Sequence, residues 1–99
     1  MSDRRAITSP EGLAQAAECL RTLAHPLRLR MIQLLLREDF SVGALAEACG
    51  IPSHIASEHL GKMRDRRLLT AERRGRQTYY RVAEPYLESI MACIEKRFD

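Results

Sequence analysis

The stretch Ser41–Leu69, SVGALAEACGIPSHIASEHLGKMRDRRLL, constrains the fold more than any other, because two short amphipathic segments flank one obligatory turn. Ser41 is suited to cap a first helix whose apolar side is Val42, Leu45 and Ala46. Gly50 then supplies the left-handed backbone that other residues adopt only with strain. Ile51 plugs the corner, Pro52 and Ser53 fit a helix start, and Ala56, Leu60 and Met63 recur at the three-to-four spacing of one buried face. The opposite face carries His54, Ser57, Glu58 and Gly61, a polar stripe with little bulk that suits a major groove. The spacing predicts a helix-turn-helix.

A chain of 99 residues has room for one modest core and not for a cofactor domain beside a substrate domain. With 45% hydrophobic and 29% charged residues it reads as soluble and globular. No apolar run approaches the roughly 20 residues of a membrane span, and the N-terminus lacks the apolar core of a secretory signal, so a cytoplasmic location is expected. Three cysteines at wide spacing fit a reducing compartment better than a disulfide framework.

The net charge of +3 becomes informative when divided along the chain. Lys62, Arg64, Arg66, Arg67, Arg73, Arg74, Arg76 and Arg81 face only Asp65 and Glu72 in the same stretch, while the remainder of the chain is net acidic. Charge runs are most often solvated surface. Here the run follows directly on the polar helix face, the footprint expected of a nucleic-acid binder.

Residues 1–9 are polar and aperiodic and read as a flexible arm, in which Arg4 and Arg5 are solvated or touch phosphates; residues 10–99 read as a single domain. A first helix starts near Ser9 and Pro10, with Leu13, Ala16, Ala17, Leu20 and Leu23 on one stripe, and ends near His25, where a cap or a buried hydrogen bond is the expected role of the imidazole. Pro26 opens a second helix whose Leu27, Met31, Leu34 and Leu35 belong to the core. After the central motif, Leu68–Arg74 and Gln77–Val82 flank Gly75 as a β-hairpin with a basic tip, Arg73 to Gln77. Glu84 and Pro85 open a last helix with Leu87, Ile90, Met91, Ile94 and Phe98 on a wide stripe. The first and last helices together offer more apolar surface than so short a chain covers internally, which points to dimerisation through them.

Helix, helix, helix-turn-helix, hairpin and helix in this order resemble the ArsR-type family of bacterial winged-helix repressors. The resemblance runs from about Leu13 to Phe98 and rests on LRTLAHPLRLRMIQLLL, LAEACGIPSHIASEHLGKMRDRRLL and RRGRQTYYRV at the family's usual intervals. It implies a mainly α fold with a small β-hairpin wing, dimeric through its first and last helices. It also implies a homodimer on a pseudo-palindromic double-stranded DNA operator, blocking transcription until a small inducer binds. Carried over by position, the base-reading residues correspond to Ser53, His54, Ser57 and Glu58, with His59 and Lys62 near the backbone; the basic hairpin tip adds Arg73, Arg74, Arg76 and Gln77 as expected DNA contacts. Many relatives carry Gln at the place of Glu58; the carboxylate either accepts from cytosine or pairs with Lys62 four residues on. His59 is a packing or phosphate-contact residue.

The family's metal sites find no match. The stretch Phe40 to Leu45 lacks the expected cysteine pair, and the last helix offers Glu84, Tyr86 and Arg97 in place of nitrogen ligands, so no metal and no cofactor is expected. Some relatives sense reactive sulfur or oxidants through a cysteine pair. Cys19 and Cys93 are then either structural, a redox switch or a metalloid site, and Cys49 packs as a small hydrophobe. No nucleophile-base-acid set or phosphate-cradling glycine loop suggests an enzyme. The rival reading is a winged-helix module that binds protein instead of DNA, for which exposed aromatic or Met anchors would be expected in place of the arginines.

Overall fold

The computed structural model describes residues 7–99, so Arg4 and Arg5 lie outside the described residues. The elements are α1 (Pro10–Leu23), α2 (Pro26–Leu35), β1 (Phe40–Ser41), α3 (Val42–Cys49), α4 (Ser53–Asp65), β2 (Leu69–Arg74), β3 (Gln77–Val82) and α5 (Leu87–Phe98). The starts of α1, α2 and α3 follow the expected capping chemistry. The Ser9 hydroxyl accepts from the Gly12 amide at 3.0 Å, and the Ser41 hydroxyl from the Ala44 amide at 3.1 Å. His25 caps α2, its Nδ1 accepting from the Leu27 amide at 3.2 Å.

The turn of the helix-turn-helix is a left-handed helix cap. Gly50 has φ of +69°, which lets its own amide reach Glu47 O at 3.1 Å and the Ile51 amide reach Ala46 O at 3.0 Å. The same cap closes α4 without a glycine: Arg67 has φ of +62°, its amide donates to Arg64 O at 2.8 Å and the Leu68 amide to Met63 O at 3.0 Å. Between these caps Ala56, Leu60 and Met63 are fully buried against Leu45 and Ala46 of α3, Met31 and Ile32 of α2, and Leu69 and Tyr80 of the sheet. Burial of that single stripe fixes the rotation of α4 about its axis.

The sheet has three antiparallel strands in the order β1-β3-β2, where the sequence predicted a two-stranded hairpin. Leu69 pairs with Val82 and Arg74 with Gln77, while Phe40 and Ser41 pair with Tyr80 and Tyr79. Two residues are too few to show a strand period, so β1 leaves no signature in the sequence. It joins β3 to the residue that caps α3, and so ties the wing to the helix-turn-helix.

The last helix starts later than expected. Glu84 and Pro85 belong to a turn, in which the Leu87 amide donates to Glu84 O at 3.2 Å and the Tyr86 amide to Glu84 Oε2 at 3.3 Å. From there α5 packs on α2 through Leu87 and Met91, and Gln33 Nε2 donates to Glu95 Oε2 at 2.7 Å. The apolar stripes are only partly covered within the chain. On α1 only Leu23 is buried, leaving Leu13 58% and Leu20 56% exposed, and on α5 Phe98 is 76% exposed.

Candidate nucleic-acid interface

With the buried side of α4 fixed by packing, its outer side presents Ser53, His54, Ser57, Glu58 and Lys62 to solvent. The alternative of a Glu58–Lys62 pair is not realised: neither has an ion-pair partner among the described residues. An exposed pair four residues apart contributes only about 0.3–0.5 kcal/mol, comparable to the cost of ordering two long side chains. Among the described residues, Glu58 is thus an acceptor with no donor and Lys62 a cation without an ion pair, one turn further.

On the wing, Gly75 turns the hairpin with φ of +62° and the flanking arginines divide in role. Arg73 Nε donates to Gly75 O at 2.8 Å, which steadies the tip while its terminal nitrogens stay free for other partners. Arg76 has no ion-pair partner among the described residues and is exposed. Arg74, expected to reach outward, instead lies on the sheet: it pairs with Glu72 at 3.0 Å and Asp39 at 3.5 Å, and its guanidinium sits 4.2 Å from the Tyr79 ring centre. Gln77 Oε1 accepts from the Tyr79 hydroxyl at 3.2 Å.

The basic run is therefore less free than its charge count implies. Arg66 pairs with Glu18 of α1 at 3.2 Å, Arg81 with Asp39 at 3.5 Å, and Arg64 with the adjacent Asp65 at 3.6 Å. Lys62, Arg67, Arg73 and Arg76 remain without an ion pair among the described residues. The partners that decide this, Glu18 and Asp39, lie far away in sequence, which is why the pattern alone could not sort the arginines.

Between α4 and the wing lies an open cleft of about 310 Å³ lined by Ser53 and Ser57 from α4 and by Arg76, Gln77, Thr78 and Tyr80 from β3 and its turn. The structure thus brings four of the expected residues, Ser53, Ser57, Arg76 and Gln77, to one concavity, with His54 and Glu58 on the exposed face of the same helix. It adds Ser41, Val42 and Gly43, the start of α3, where the sequence suggests a cap at Ser41 and an apolar contact at Val42. Amides at a helix start suit an anion such as a phosphate.

His59 faces away from this cleft. It is half-buried, its Nδ1 accepts from Arg28 Nε at 3.1 Å, and its ring meets that of His25 edge to face at 4.8 Å. Of its two expected roles, packing is the one the geometry gives it. Burial, then the positive Arg28, holds its pKa below the usual imidazole value.

All three cysteines are free thiols. Cys49 packs half-buried against the core, and burial pushes its thiol pKa up, as expected of a small hydrophobe. Cys19 lies half-buried beside the end of α4, in a cleft with Glu18, Asp65 and Arg66, and Cys93 is exposed on α5. Among the described residues no group of three or more His, Cys, Asp or Glu side chains is placed to hold a metal ion, and no helix is long and apolar enough to cross a membrane.

A helix with a free polar face, set in a helix-turn-helix and flanked by a basic β-wing, defines a winged helix-turn-helix protein. A family model described as a helix-turn-helix domain matches residues 23–72. The chain is 37% identical over 81 residues to the HTH-type transcriptional regulator Rv0081 of Mycobacterium tuberculosis, covering 81% of this chain and 71% of that one. It is 34% identical over 81 residues to the transcriptional repressor PagR of Bacillus anthracis, covering 81% of each. The homodimeric winged helix-turn-helix DNA-binding domain Mb0332 of Mycobacterium bovis superimposes with a TM-score of 0.79 at 27% identity, over 96% of this chain and 94% of that one. The chain belongs to the ArsR/SmtB-type family of DNA-binding transcriptional regulators, a family of regulators and not of enzymes.

Proposed function

We propose that this chain is a repressor that acts as a homodimer, paired through α1 and α5, on a pseudo-palindromic DNA operator. Ser53, His54, Ser57 and Glu58 meet base edges in the major groove, while Lys62, Arg73, Arg76 and Gln77 hold the sugar-phosphate backbone. The observation that carries this reading is the cleft that joins Ser53 and Ser57 to Arg76 and Gln77: it sets a polar helix face beside a cation that no carboxylate of the described residues neutralises. Arg74 supports the wing from behind through Glu72, Asp39 and Tyr79, and His59 supports α4 from the opposite side. Release by a thiol-reactive inducer would act at Cys19, where a bulky adduct in its cleft would press on the end of α4, and at the exposed Cys93.

A protein-binding module would show large apolar anchors on the outer face of α4, and Ser53, His54, Ser57, Glu58 and Lys62 provide none. Selection from a random duplex library is the direct test. Recovery of a two-fold related motif, bound by two chains per duplex in sedimentation, is the expected result. Failure to enrich any motif would remove the operator reading.

A further inference from the structure

At the back of the recognition helix, Arg28 joins three elements. Its Nε donates to His59 Nδ1 on α4 at 3.1 Å, and its Nη1 donates to Thr22 O in the last turn of α1 at 2.9 Å, while its own backbone belongs to the first turn of α2. His25, the cap of α2, closes the set: its Nδ1 accepts from the Leu27 amide at 3.2 Å and its ring packs against that of His59 with centres 4.8 Å apart.

Both imidazoles are used through Nδ1 as an acceptor. An imidazole offers an acceptor nitrogen only when neutral, since the protonated ring carries N–H on both sides. Protonating His59 replaces an Arg28–His59 hydrogen bond by two N–H groups pointing at each other, one of them on a guanidinium. The charges acting on His59 come from Arg28 and His25 at the start of α2 and from Glu58 and Lys62 of α4 itself, and α1 supplies a backbone carbonyl to Arg28. Glu58 is the single acidic member of that set and lies exposed on the DNA side. A second positive ring therefore finds little to balance it.

We propose that Arg28 is the positioning residue of the recognition helix and that His59, its acceptor on α4, makes the joint sensitive to protons, so that mild acid weakens operator binding. This rests on the DNA-binding reading above. The folded joint favours neutral His59, so its support is complete above the ordinary imidazole pKa of about 6.5 and is lost as pH falls below that value. The effect of the joint is read against a variant that keeps His54, so that whatever the outer-face imidazole contributes is common to both proteins.

The variant is His59→Asn, whose side-chain oxygen can take the place of Nδ1 as acceptor for Arg28 and does not titrate. The probe is a duplex selected from a random library by the wild-type protein, titrated by fluorescence anisotropy at constant ionic strength. Between about pH 7.5 and about pH 5.5, wild type should lose affinity severalfold relative to His59→Asn, because only the wild-type joint holds a neutral imidazole that acid can protonate. At the upper pH the two should bind within about twofold of each other, as rescue of the Arg28 contact requires. Parallel pH profiles would overturn the proposal. If His59→Asn does not fold, the wild-type protein decides by NMR: amide shifts along α4 that follow the His59 ring titration support the joint, and amides that ignore it overturn the joint. No binding to any duplex at the upper pH would instead remove the DNA reading, and this inference with it.

Discussion

At the scale of single residues, the site divides between side chains that the fold leaves free and side chains it employs. Ser53, His54, Ser57 and Glu58 are free because Ala56, Leu60 and Met63 are not; three fully buried positions orient α4 and leave the polar stripe no other direction. That much was legible in the sequence, since a three-to-four apolar period fixes both faces of a helix at once. Which arginines face outward was not, because it depends on Asp39 and Glu18, carboxylates that only the tertiary fold brings to Arg74, Arg81 and Arg66. The same holds for His59, whose inward role depends on Arg28 of another helix. The cations and the side chains proposed to read bases should behave differently on mutation. Arg76→Ala should weaken selected and random DNA alike, whereas Ser57→Ala or His54→Ala should cost the selected site about 1–3 kcal/mol per lost base contact and spare random DNA. Arg74→Ala should act through the wing's footing, and a loss confined to α4 substitutions in side-by-side anisotropy titrations would show that the wing does not touch DNA.

At the scale of elements, helix ends were the most legible feature and strand β1 the least. Ser9, Ser41, His25 and Gly50 each terminate a helix by chemistry local to a few residues, so their sequence context suffices. The pairing of β1 is non-local: Phe40 and Ser41 become a strand only because Tyr79 and Tyr80 arrive alongside. The end of α4 is an intermediate case. Its cap has the geometry of the one at Gly50, yet Arg67 occupies the left-handed position, so nothing in the sequence announced it. A side chain there costs roughly 1–2 kcal/mol in backbone strain, and glycine at the same place gives back about 0.5–1 kcal/mol in unfolded-chain entropy. Arg67→Gly should accordingly raise stability by about 0.5–1 kcal/mol in urea unfolding, with an unchanged dependence on denaturant. Gly50→Ala is the mirror experiment, and space is not the obstacle, since a methyl group there meets nothing within 4 Å. Equal stability of both variants with wild type would show that the left-handed caps are not held in solution.

At the scale of the whole molecule, the apolar stripes of α1 and α5 are the largest feature the single chain does not explain. The sequence showed their width, and the structure leaves Leu13 and Leu20 of α1 and Ile90 and Phe98 of α5 exposed, with Ile7 and Tyr86 exposed just ahead of the two helices. Burying a leucine side chain is worth about 1.5–3 kcal/mol, so a two-fold contact that covers Leu13 and Leu20 of both copies gains enough to matter against the cost of association. The stripe includes no residue of the wing or of the outer face of α4, so pairing through it would leave those residues uncovered. Leu20→Glu places a charge in that contact and changes none of the residues proposed to touch DNA, which separates assembly from recognition. The variant should sediment as a monomer with unchanged helix content. In DNA binding the effect should appear in the salt response. Lys62, Arg73 and Arg76 of two protomers would displace counterions from about six phosphates, for a log-log slope near −5, at about 0.9 per phosphate. A monomer holds half of these contacts, so its slope should fall to between about −2 and −3 and its affinity for a two-fold site should drop to that for a half-site. A monomeric Leu20→Glu that retains the wild-type slope would mean that one chain makes all the phosphate contacts, and the two-fold operator would have to be abandoned.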